Sequence, residues 1–457
     1  MNLKSAGKLS KDGWLSRNIL TFFSSDRIFL ISLVFLLFIP LFFHGPHFGV
    51  PYVKGGDEPH YLVMINSLLI DGDLDLQNNY ESARKGSWQV GKKYAGQAVD
   101  PHMGWNVGGK HVFWPEVYED TNNWKKDADG VYIPERKLDA TINITGLPGY
   151  SIHPAGIAFL LAPFLWPFRG TPYTEPLALL FSNLAVILSA FLFRQILQRY
   201  TKDMLAINLG TFLTFLGLPL WAYGRTLFME PFLLFFAVGT FYLVLEKKSG
   251  FWAGMALGLG ALLKPNFLIL FFPLALFYAE DKKIKTILWM MVGPSLSAAA
   301  TFYTNAQWYG SPFTSAQPFH LGNIFQGVLG LLFSWNHGII PFAPVVLLVV
   351  LFWKRFISEH QSEALLLGGG FLIYFLMMSL WENWGGGWCY GPRLVSPVLA
   401  FLMIPIFYLP GAFSTWSKSL RWFALALCLL SLAFNLLGAM DGYWSSHPLT
   451  ILKSNIS

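Results

Sequence analysis

Charged residues are scarce in this sequence. They make up 13% of the 457 residues, whereas apolar residues make up 54%. Soluble domains carry about 25% charged residues, so a water-soluble fold of this size would lack the charges needed to cover its surface. A lipid bilayer removes that requirement, because side chains that face hydrocarbon need no charge. The shortage excludes an ordinary soluble domain and predicts an integral membrane protein.

Cysteine pairs and nucleotide-binding motifs are also lacking. Cys389 and Cys428 form no CxxC pattern, no zinc-ligand spacing and no disulfide framework. The sequence contains no phosphate-binding loop, no GxGxxG fingerprint and no GxSxG nucleophile motif. The formal net charge is +6, but the basic residues form short clusters between apolar runs rather than one patch. That distribution argues against a nucleic-acid partner.

Apolar runs are abundant, and each approaches the roughly 20 residues that a bilayer crossing requires. They lie at approximately 27–45, 176–195, 205–223, 227–245, 250–264, 266–280, 284–304, 338–353, 364–381, 394–410 and 421–439. Lys264-Pro265-Asn266 separates two of them, and the proline predicts a turn at the membrane face. The expected fold class is an all-α integral membrane protein with about 11 transmembrane helices and a large, partly helical outer (periplasmic) first loop.

Basic residues set the expected orientation. The segments expected in the cytoplasm contain Arg194, Arg199, Lys202, Lys247, Lys248, Lys282, Lys283, Lys285, Lys354, Arg355, Lys418 and Arg421. The outer segments beyond the first loop contain only Arg225, Lys264, Arg393 and Lys453. Because cytoplasmic loops carry the excess of Lys and Arg, we expect the N-terminus inside and the C-terminus outside.

This orientation divides the chain into segments. We expect a cytoplasmic N-terminus (1–26), a first transmembrane helix (27–45), a large outer loop with candidate catalytic acids (46–175), a multi-helix transmembrane domain (176–439) and an outer tail (440–457). Within the loop, residues 153–168 are apolar but short and contain three prolines. A full crossing there would invert every later segment, so we expect 153–168 to dip into the outer leaflet or to lie on it.

A few charged residues fall at the expected outer membrane face. The acids are Asp57 and Glu58 in GGDEPHYL, Glu230 in RTLFMEP and Glu382, and the bases are Arg225, Lys264 and Arg393. An acid can take a proton from an acceptor nucleophile. Arg and Lys can hold a phosphate and stabilise its charge as it departs. The combination predicts the transfer of a group from a phosphate carrier.

Each of these residues also has a structural explanation. Glu230 can be a helix N-terminal acid that interacts with the helix dipole. Isolated basic residues such as Arg225 and Lys264 can extend to lipid headgroups. The histidines show no metal-ligand spacing, so structural or hydrated roles are expected for His102, His111 and His153.

The order of the motifs resembles the C-type (GT-C) superfamily of membrane glycosyltransferases, in its bacterial branch related to protein O-mannosyltransferases and aminoarabinose transferases. The elements that resemble it are Asp57-Glu58, Arg225 with Glu230, Lys264-Pro265, YGSPF (309–313), FSWNHGIIPFAP (333–344) and WGGGWCYGPR (384–393). The resemblance implies a multi-pass enzyme with its active site on the outer face of a bacterial inner membrane. Its donor would be a polyprenyl-phosphate-linked sugar, and its acceptor a hydroxyl or amine on an envelope glycan, lipid or protein.

The resemblance also implies roles for individual residues. Asp57 would be the catalytic base or the acceptor-binding acid, and Glu58 and Glu230 would be further catalytic acids, although many relatives have Asp in place of Glu230. The residues expected to bind the carrier phosphate are Arg393, Lys264 and Arg225. Candidate sugar or acceptor contacts are His60, Tyr61, His153, Trp384 and Tyr390. Some branches hold a divalent metal on the acids, here Asp57 and Glu230, and others need no cofactor; the sequence leaves this open.

Two other classes of function stay open. A lipid-linked-sugar flippase or a secondary transporter would place charges and broken helices near the bilayer midplane, often in repeated halves. The predicted spans contain few such charges and no evident repeat. An outer-surface binding scaffold would use the aromatic-rich first loop. Turnover of a lipid-phosphate sugar by the purified protein separates the enzyme from both.

Overall fold

The computed structural model of the protein describes residues 22–44, 47–53, 56–84, 101–119, 125–126, 132–133, 137, 142–315, 318–387, 389–441 and 447. Within these ranges the chain is mostly α-helical and has three small antiparallel sheets. Most of the predicted cytoplasmic N-terminus (1–26) and outer tail (440–457), and much of the stretch from 85 to 141, lie outside the described residues.

Most of the predicted apolar runs form helices. In chain order the helices are α1 (Asp26–Phe38), α2 (Glu58–Asn66), α3 (Gln77–Arg84), α4 (Trp114–Val117), α5 (Gly156–Leu165), α6 (Thr174–Tyr200), α7 (Met204–Gly217), α8 (Leu220–Tyr223), α9 (Glu230–Leu245), α10 (Gly250–Leu263), α11 (Phe271–Glu280), α12 (Ile284–Met290), α13 (Val292–Tyr309), α14 (Ile324–Phe333), α15 (Ile339–Phe342), α16 (Val346–Glu359), α17 (Gln361–Ser379), α18 (Ser396–Leu402), α19 (Leu409–Thr415) and α20 (Lys418–Asp441). Short 3₁₀ turns extend several of them, at Ile39–Phe42, Trp166–Phe168, Pro265–Leu270, Arg393–Val395 and Ile404–Tyr408.

Three of the described helices are each long and apolar enough to cross a membrane. They are Thr174–Tyr200, Gln361–Ser379 and Lys418–Met440. Arg393–Leu402 and Ile404–Thr415 form a fourth if this pair, bent by 41°, is one span. Other apolar helices in the described residues have 10–17 residues. The predicted number of about 11 spans therefore stays a prediction.

Several predicted runs are interrupted. The run 205–223 breaks at Pro219 between α7 and α8, and the run 338–353 breaks at Pro344 between α15 and α16. Proline explains both interruptions, because it lacks the N–H that the helix needs and its ring clashes with the preceding turn. Helix α14 lies between two of the predicted runs, and its ten residues are too few for a span.

Helix α6 separates two polar layers. Its 27 residues rise about 40 Å. Near its N-terminus, Glu175 accepts a hydrogen bond of 2.6 Å from the backbone N of Val53 in the first loop. Near its C-terminus, Arg199 pairs with Glu363 at 3.0 Å and with Glu246 at 3.5 Å. The part of the first loop at Val53 therefore lies at one end of α6, and Arg199 of the predicted cytoplasmic segments lies at the other end.

Large apolar side chains stay exposed along the helices between these layers. Examples are Ile31, Leu276 and Leu365, with 73%, 72% and 65% of their surface exposed. Soluble monomers rarely expose so many large apolar side chains. This surface is the one expected to face lipid.

A small sheet in the first loop departs from the all-α prediction. Strand β3 (Met103–Val107) lies between β4 (Lys110–Phe113) and β7 (Tyr150–Ser151). Shorter strands β1 (Phe43–His44) and β2 (His47–Phe48), and β5 (Lys125–Lys126) and β6 (Tyr132–Ile133), pair two by two. Strands of two to five residues carry too short an alternation to be recognised in the sequence.

Helix α2 and residues 153–168 pack against each other. Every residue of α2 is buried. Helix α5 within 153–168 has ten residues and rises about 15 Å, half of the roughly 30 Å hydrocarbon core. Its Phe159 and Phe164 are exposed. The length of α5 is compatible with a segment that dips into the membrane, which stays a prediction.

Candidate active site

Asp57 lies where the first loop enters a helix. It directly precedes α2, which has Pro59 in its first turn, and it follows Gly56, whose φ is +59°. Glycine adopts a positive φ without the steric cost that other residues meet, so Gly56 permits a sharp turn here. The turn leaves 22% of the Asp57 side chain exposed, at the wall of a cavity.

Glu230 begins helix α9, and only 1% of its side chain is exposed. Its Oε1 accepts hydrogen bonds from Lys264 Nζ at 2.6 Å and from Arg393 Nε at 3.0 Å. Lys264 directly follows α10, and Pro265 after it starts a 3₁₀ turn. The Lys-Pro turn therefore brings a cation to the acid of the neighbouring helix, which is also favourably placed at the positive end of its own helix dipole.

Arg393 connects Glu230 to Asp57. Its guanidinium donates one hydrogen bond to Asp57 Oδ2 and another, from Nε, to Glu230 Oε1. The carbon at the centre of the guanidinium lies 4.1 Å from the ring centre of Phe228. Arg393 is buried, with 5% of its surface exposed. A planar guanidinium held on two carboxylates and one aromatic face has a fixed position.

The charges of these four side chains balance. Asp57 and Glu230 are acids, and Lys264 and Arg393 are bases. Burial raises the pKa of the Asp57 carboxyl. The charge of Arg393 and its hydrogen bond, together with the neighbouring His153 and His102, outweigh burial and hold that pKa well below its usual range. Asp57 is therefore ionised at neutral pH. The resemblance left open a metal held by Asp57 and Glu230, and the guanidinium of Arg393 lies between these two acids.

Strand pairing brings two distant histidines together. Strand β3 pairs with β7 so that Met103 lies opposite Ser151. His102 precedes this pairing on one strand and His153 follows it on the other, so the two side chains meet at the same end of the sheet. His102 Nδ1 and His153 Nε2 are 2.8 Å apart. The spacing of the histidines in the sequence did not reveal this pair, because it depends on the register of the strands.

The histidine pair lies next to Asp57. One nitrogen from each ring and a carboxylate oxygen of Asp57 all lie within 4.8 Å of one another. Burial lowers the pKa of His153 to about 3, so its imidazole is neutral. His60 stacks on His102 with the ring centres 3.6 Å apart, and the Tyr80 hydroxyl is 2.7 Å from His60 Nδ1. The rings therefore support one another in a stack.

A cavity of about 1600 Å³ opens beside these side chains. Its polar wall is formed by Asp57, His102, His153, Lys264 and Arg393. Its apolar wall includes Phe302, Phe313, Phe319, Met377 and Trp381. Phe313 is 84% exposed and Phe302 is 46% exposed, so the cavity reaches the protein surface at an apolar edge. Ordinary small-molecule sites occupy about 300–1,000 Å³, so this cavity has room for a larger ligand.

Glu58 and Arg225 do not join this cluster. The Glu58 carboxylate is buried and accepts a hydrogen bond of 2.7 Å from the backbone N of Leu227. The Arg225 guanidinium donates to the carbonyl oxygen of Ala439 at 2.6 Å and to that of Phe43. Glu58 thus ties α2 to the segment before α9, and Arg225 ties α20 to strand β1.

Three of the predicted sugar or acceptor contacts lie at or behind the cavity wall. Tyr61 and His153 line the cavity. The Tyr61 hydroxyl is 3.4 Å from Asp57 Oδ2. His60 lies behind His102 rather than at the wall.

The remaining two predicted contacts pack elsewhere. The Tyr390 hydroxyl donates to the carbonyl of Phe434 at 2.7 Å, and Tyr390 is buried. The Trp384 ring lies directly against Gly330 of α14, where a Cβ would clash with it. Among the described lining residues of the cavity, neither Tyr390 nor Trp384 occurs.

Comparison with known proteins adds a structural relationship. No family model and no curated protein matches the chain by sequence. The crystal structure of ArnT from Cupriavidus metallidurans in the apo state matches with a TM-score of 0.51 at 13% identity, over 87% of this chain and 61% of that one. ArnT from the same organism bound to undecaprenyl phosphate matches with a TM-score of 0.52 at 13% identity, over 87% and 62%. The chain has the fold of ArnT.

The match confirms, at the level of the fold, the likeness to aminoarabinose transferases that the motifs predicted. Together with the apolar helices, it identifies the chain as an integral membrane protein. The chain spans about three fifths of the length of the ArnT structures that it matches. An identity of 13% extends the relationship to the fold and no further.

Some residues that line the cavity were not predicted from the sequence as site residues. They include His102, Asn266, Asn305, Trp308 and Tyr309. A sequence signal exists for Tyr309, because this residue begins the YGSPF motif. In the structure its hydroxyl donates to the carbonyl of Ser151 at 2.7 Å. No sequence signal places His102 in the site, because its position depends on strand pairing across 51 residues.

Proposed function

We propose that the chain is an integral-membrane glycosyltransferase. It transfers a sugar from a polyprenyl-phosphate carrier to a hydroxyl or amine of an envelope glycan, lipid or protein. The observation that carries the proposal is the cavity with one charged wall, at Asp57, Lys264 and Arg393, and one apolar wall that reaches the surface at Phe313. A lipid phosphate has matching charged and apolar parts. ArnT, whose fold the chain shares, has a structure bound to undecaprenyl phosphate.

The two walls suit the two parts of the donor. Lys264 and Arg393 offer N–H donors to phosphate oxygens, and the guanidinium has five such donors in a planar fork. Glu230 holds both cations through one carboxylate oxygen, so it is a positioning residue. The apolar side chains of Phe302 and Phe313, exposed at the edge, suit the polyprenyl tail, because burying apolar surface contributes about 25 cal/mol per Å².

The reaction needs one bond formed and one broken. The acceptor oxygen or nitrogen attacks C1 of the sugar from the face opposite the phosphate. The C1–O bond to phosphate breaks, and the polyprenyl phosphate keeps the electron pair. The proton of the acceptor passes to the Asp57 carboxylate, while Arg393 and Lys264 stabilise the charge that gathers on the departing phosphate. As Arg393 turns to the phosphate, it releases Asp57 Oδ2 for the acceptor.

The proposal also assigns the cavity to one face of the membrane. The cavity is at the end of the helical body next to the first loop, and the basic residues Arg199 and Arg194 lie at the other end. Positively charged loops favour the cytoplasmic side. We therefore assign the cavity to the outer, periplasmic face of a bacterial inner membrane.

Donor cleavage tests this function. The purified protein in lipid nanodiscs is mixed with undecaprenyl phosphate carrying different single sugars and with an envelope extract as acceptor. Mass spectrometry should show loss of one donor, release of undecaprenyl phosphate and transfer of that sugar to an acceptor. Intact donors across the whole panel would contradict the proposal. Movement of the donor across the bilayer without bond cleavage would instead indicate a transporter.

A further inference from the structure

Asp57, His102 and His153 bring three metal-ligating atoms to one place. Their donor atoms lie within 4.8 Å of one another. Each comes from a different segment: Asp57 from the N-terminal end of α2, His102 from the residue before β3, and His153 from the second residue after β7. His153 is buried and His102 and Asp57 are partly exposed, so the group lies at the boundary between the core and the cavity.

The distance between the two imidazole nitrogens is similar to the distance between two nitrogens bound to the same metal ion. His102 Nδ1 and His153 Nε2 are 2.8 Å apart. Two nitrogens bound to one tetrahedral ion at about 2.0–2.1 Å lie about 3.3 Å apart, so the rings would separate by about half an ångström. His60 stacks on His102 at 3.6 Å, and Tyr80 holds His60 in turn. The support behind His102 therefore keeps its ring oriented towards the partner, as outer-shell groups do for metal-bound histidines.

One carboxylate oxygen of Asp57, Oδ1, can coordinate such an ion. Among the described residues, the hydrogen bonds of its side chain, from Arg393 and from Tyr61, go to Oδ2. A carboxylate accepts through two oxygens and about four lone-pair directions. Oδ1 can therefore face the histidines while Oδ2 keeps Arg393.

The alternative ligand pair does not fit. The sequence named Asp57 and Glu230 as the acids that would share a metal. In the structure Arg393 bridges them, with its Nε 3.0 Å from Glu230 Oε1, and Lys264 holds the same oxygen at 2.6 Å. A divalent cation between these acids would have to displace a buried guanidinium. The histidine side of Asp57 carries no such competing cation in the described contacts.

We propose that Asp57, His102 and His153 bind one divalent transition-metal ion, of the Zn²⁺, Mn²⁺ or Fe²⁺ class. Imidazole nitrogen with carboxylate oxygen favours these ions over Mg²⁺ and Ca²⁺, which prefer oxygen ligands throughout. Two histidines and one carboxylate leave coordination positions open, and all three side chains line the cavity.

The role of the ion rests on the proposed function, whereas its binding does not. The charges of Asp57, Glu230, Lys264 and Arg393 cancel, so an added divalent ion would make the polar wall positive. A positive wall suits an anionic phosphate. Held by Asp57, His102 and His153 at the cavity wall, the ion would supply Lewis-acid stabilisation of the charge on the departing phosphate.

Metal binding is measured on the whole protein without any donor. The protein in detergent is stripped with a chelator, dialysed against Zn²⁺ and analysed by elemental mass spectrometry, with affinity from calorimetry and coordination from the visible spectrum of Co²⁺. We expect one ion per chain and a Co²⁺ spectrum typical of nitrogen and oxygen ligands. His102→Gln and His153→Gln should each weaken the affinity at least tenfold, on the order of the effects seen even for outer-shell changes.

His111→Gln is the matched control. His111 lies on β4 of the same sheet, with its ring packed on Phe113 and Tyr309, and does not belong to the ligand group. The His111→Gln variant should bind the metal ion with the same affinity as the unchanged protein. Melting temperatures identify any variant that fails to fold. Substoichiometric binding by the folded protein, or binding that His102→Gln leaves unchanged, overturns the metal site.

Turnover separates this inference from the proposed function. If the chelator-stripped protein contains no metal and cleaves the donor at the full rate, the role of the ion in the reaction is overturned and the glycosyltransferase stands. If the protein binds one ion through His102 and His153 but cleaves no donor in the panel, the metal site stands and the proposed function fails.

Discussion

Arg393 shows how one side chain can serve both the fold and the proposed chemistry. Its guanidinium reaches Asp57 Oδ2 and Glu230 Oε1 together, with Phe228 beneath it. A lysine ammonium is a compact charge and cannot reproduce this planar two-sided contact. Any change at Arg393 therefore affects the geometry of the acids as well as the phosphate site.

Arg393→Ala is expected to lower donor turnover by roughly 10²-fold or more, since it removes a group that stabilises charge in the transition state. Arg393→Lys should recover only part of that loss, because the bidentate geometry is gone. Turnover is measured per folded molecule, after size-exclusion chromatography. Full turnover by Arg393→Lys, together with only a small loss of turnover in Arg393→Ala, would identify Arg393 as a membrane anchor instead.

Arg225 is the matched control for that series. It is also a buried arginine, but it donates to the backbone carbonyls of Phe43 and Ala439. Arg225→Ala should lower the melting temperature, because each hydrogen bond from a charged donor contributes about 1.5–3 kcal/mol. Turnover per folded molecule should stay unchanged. If Arg225→Ala lost as much turnover as Arg393→Ala without losing stability, Arg225 would belong to the phosphate-binding site.

At the scale of helices, three glycines allow α10 to pack closely against α12 and α13. Gly250, Gly254 and Gly258 recur every four residues on one face of α10, against Thr286, Met290 and Gly293 of α12 and α13. A Cβ on any of the three would overlap backbone atoms of that partner. Small residues at this spacing let membrane helices approach each other closely. The close packing fixes α10, and with it Lys264 at its end.

Gly258→Ala is therefore expected to destabilise the protein by at least about 1–3 kcal/mol, as overpacking does. Gly239→Ala on α9 is the control, because a Cβ there meets Leu192 at an ordinary 3.8 Å. That variant should be neutral or slightly stabilising, since alanine favours the helix. Thermal unfolding in detergent compares the two. Equal melting temperatures would show that the α10 face tolerates a methyl group.

The same elements show what the sequence could and could not predict. Apolar runs predicted most helices, because the requirement for about 20 apolar residues per span is visible in a single sequence. Asp57, Glu230, Lys264 and Arg393 were predicted because charge at the membrane face is rare in this chain, and the structure brings them together. The pairing of His102 with His153 was not predictable, because it depends on contacts between strands far apart in the chain.

At the scale of the whole molecule, polar contacts are sorted to two ends. Arg194 with Asp26, and Arg199 with Glu363, lie at one end. Asp57 with Arg393 lies at the other. The side of the membrane that each end faces stays a prediction from the charge asymmetry of the sequence.

Single-cysteine labelling tests the orientation. After replacement of Cys389 and Cys428, Lys202→Cys should be protected from an impermeant reagent added to intact cells, and Ser315→Cys should be labelled. Both positions are exposed in the structure, so accessibility within the protein does not decide the result. Strong labelling at 202 from outside would mean that residues 153–168 cross the membrane and that the predicted orientation is wrong.

The most direct test of the central claim compares donor cleavage by the unchanged protein and by Asp57→Asn. The substitution keeps the size of the side chain but cannot accept a proton at neutral pH, and general-base help is worth about 10²–10⁴ in rate. The account predicts that release of polyprenyl phosphate falls by that order while the yield of folded protein is unchanged. Release at a near-normal rate by folded Asp57→Asn would contradict it.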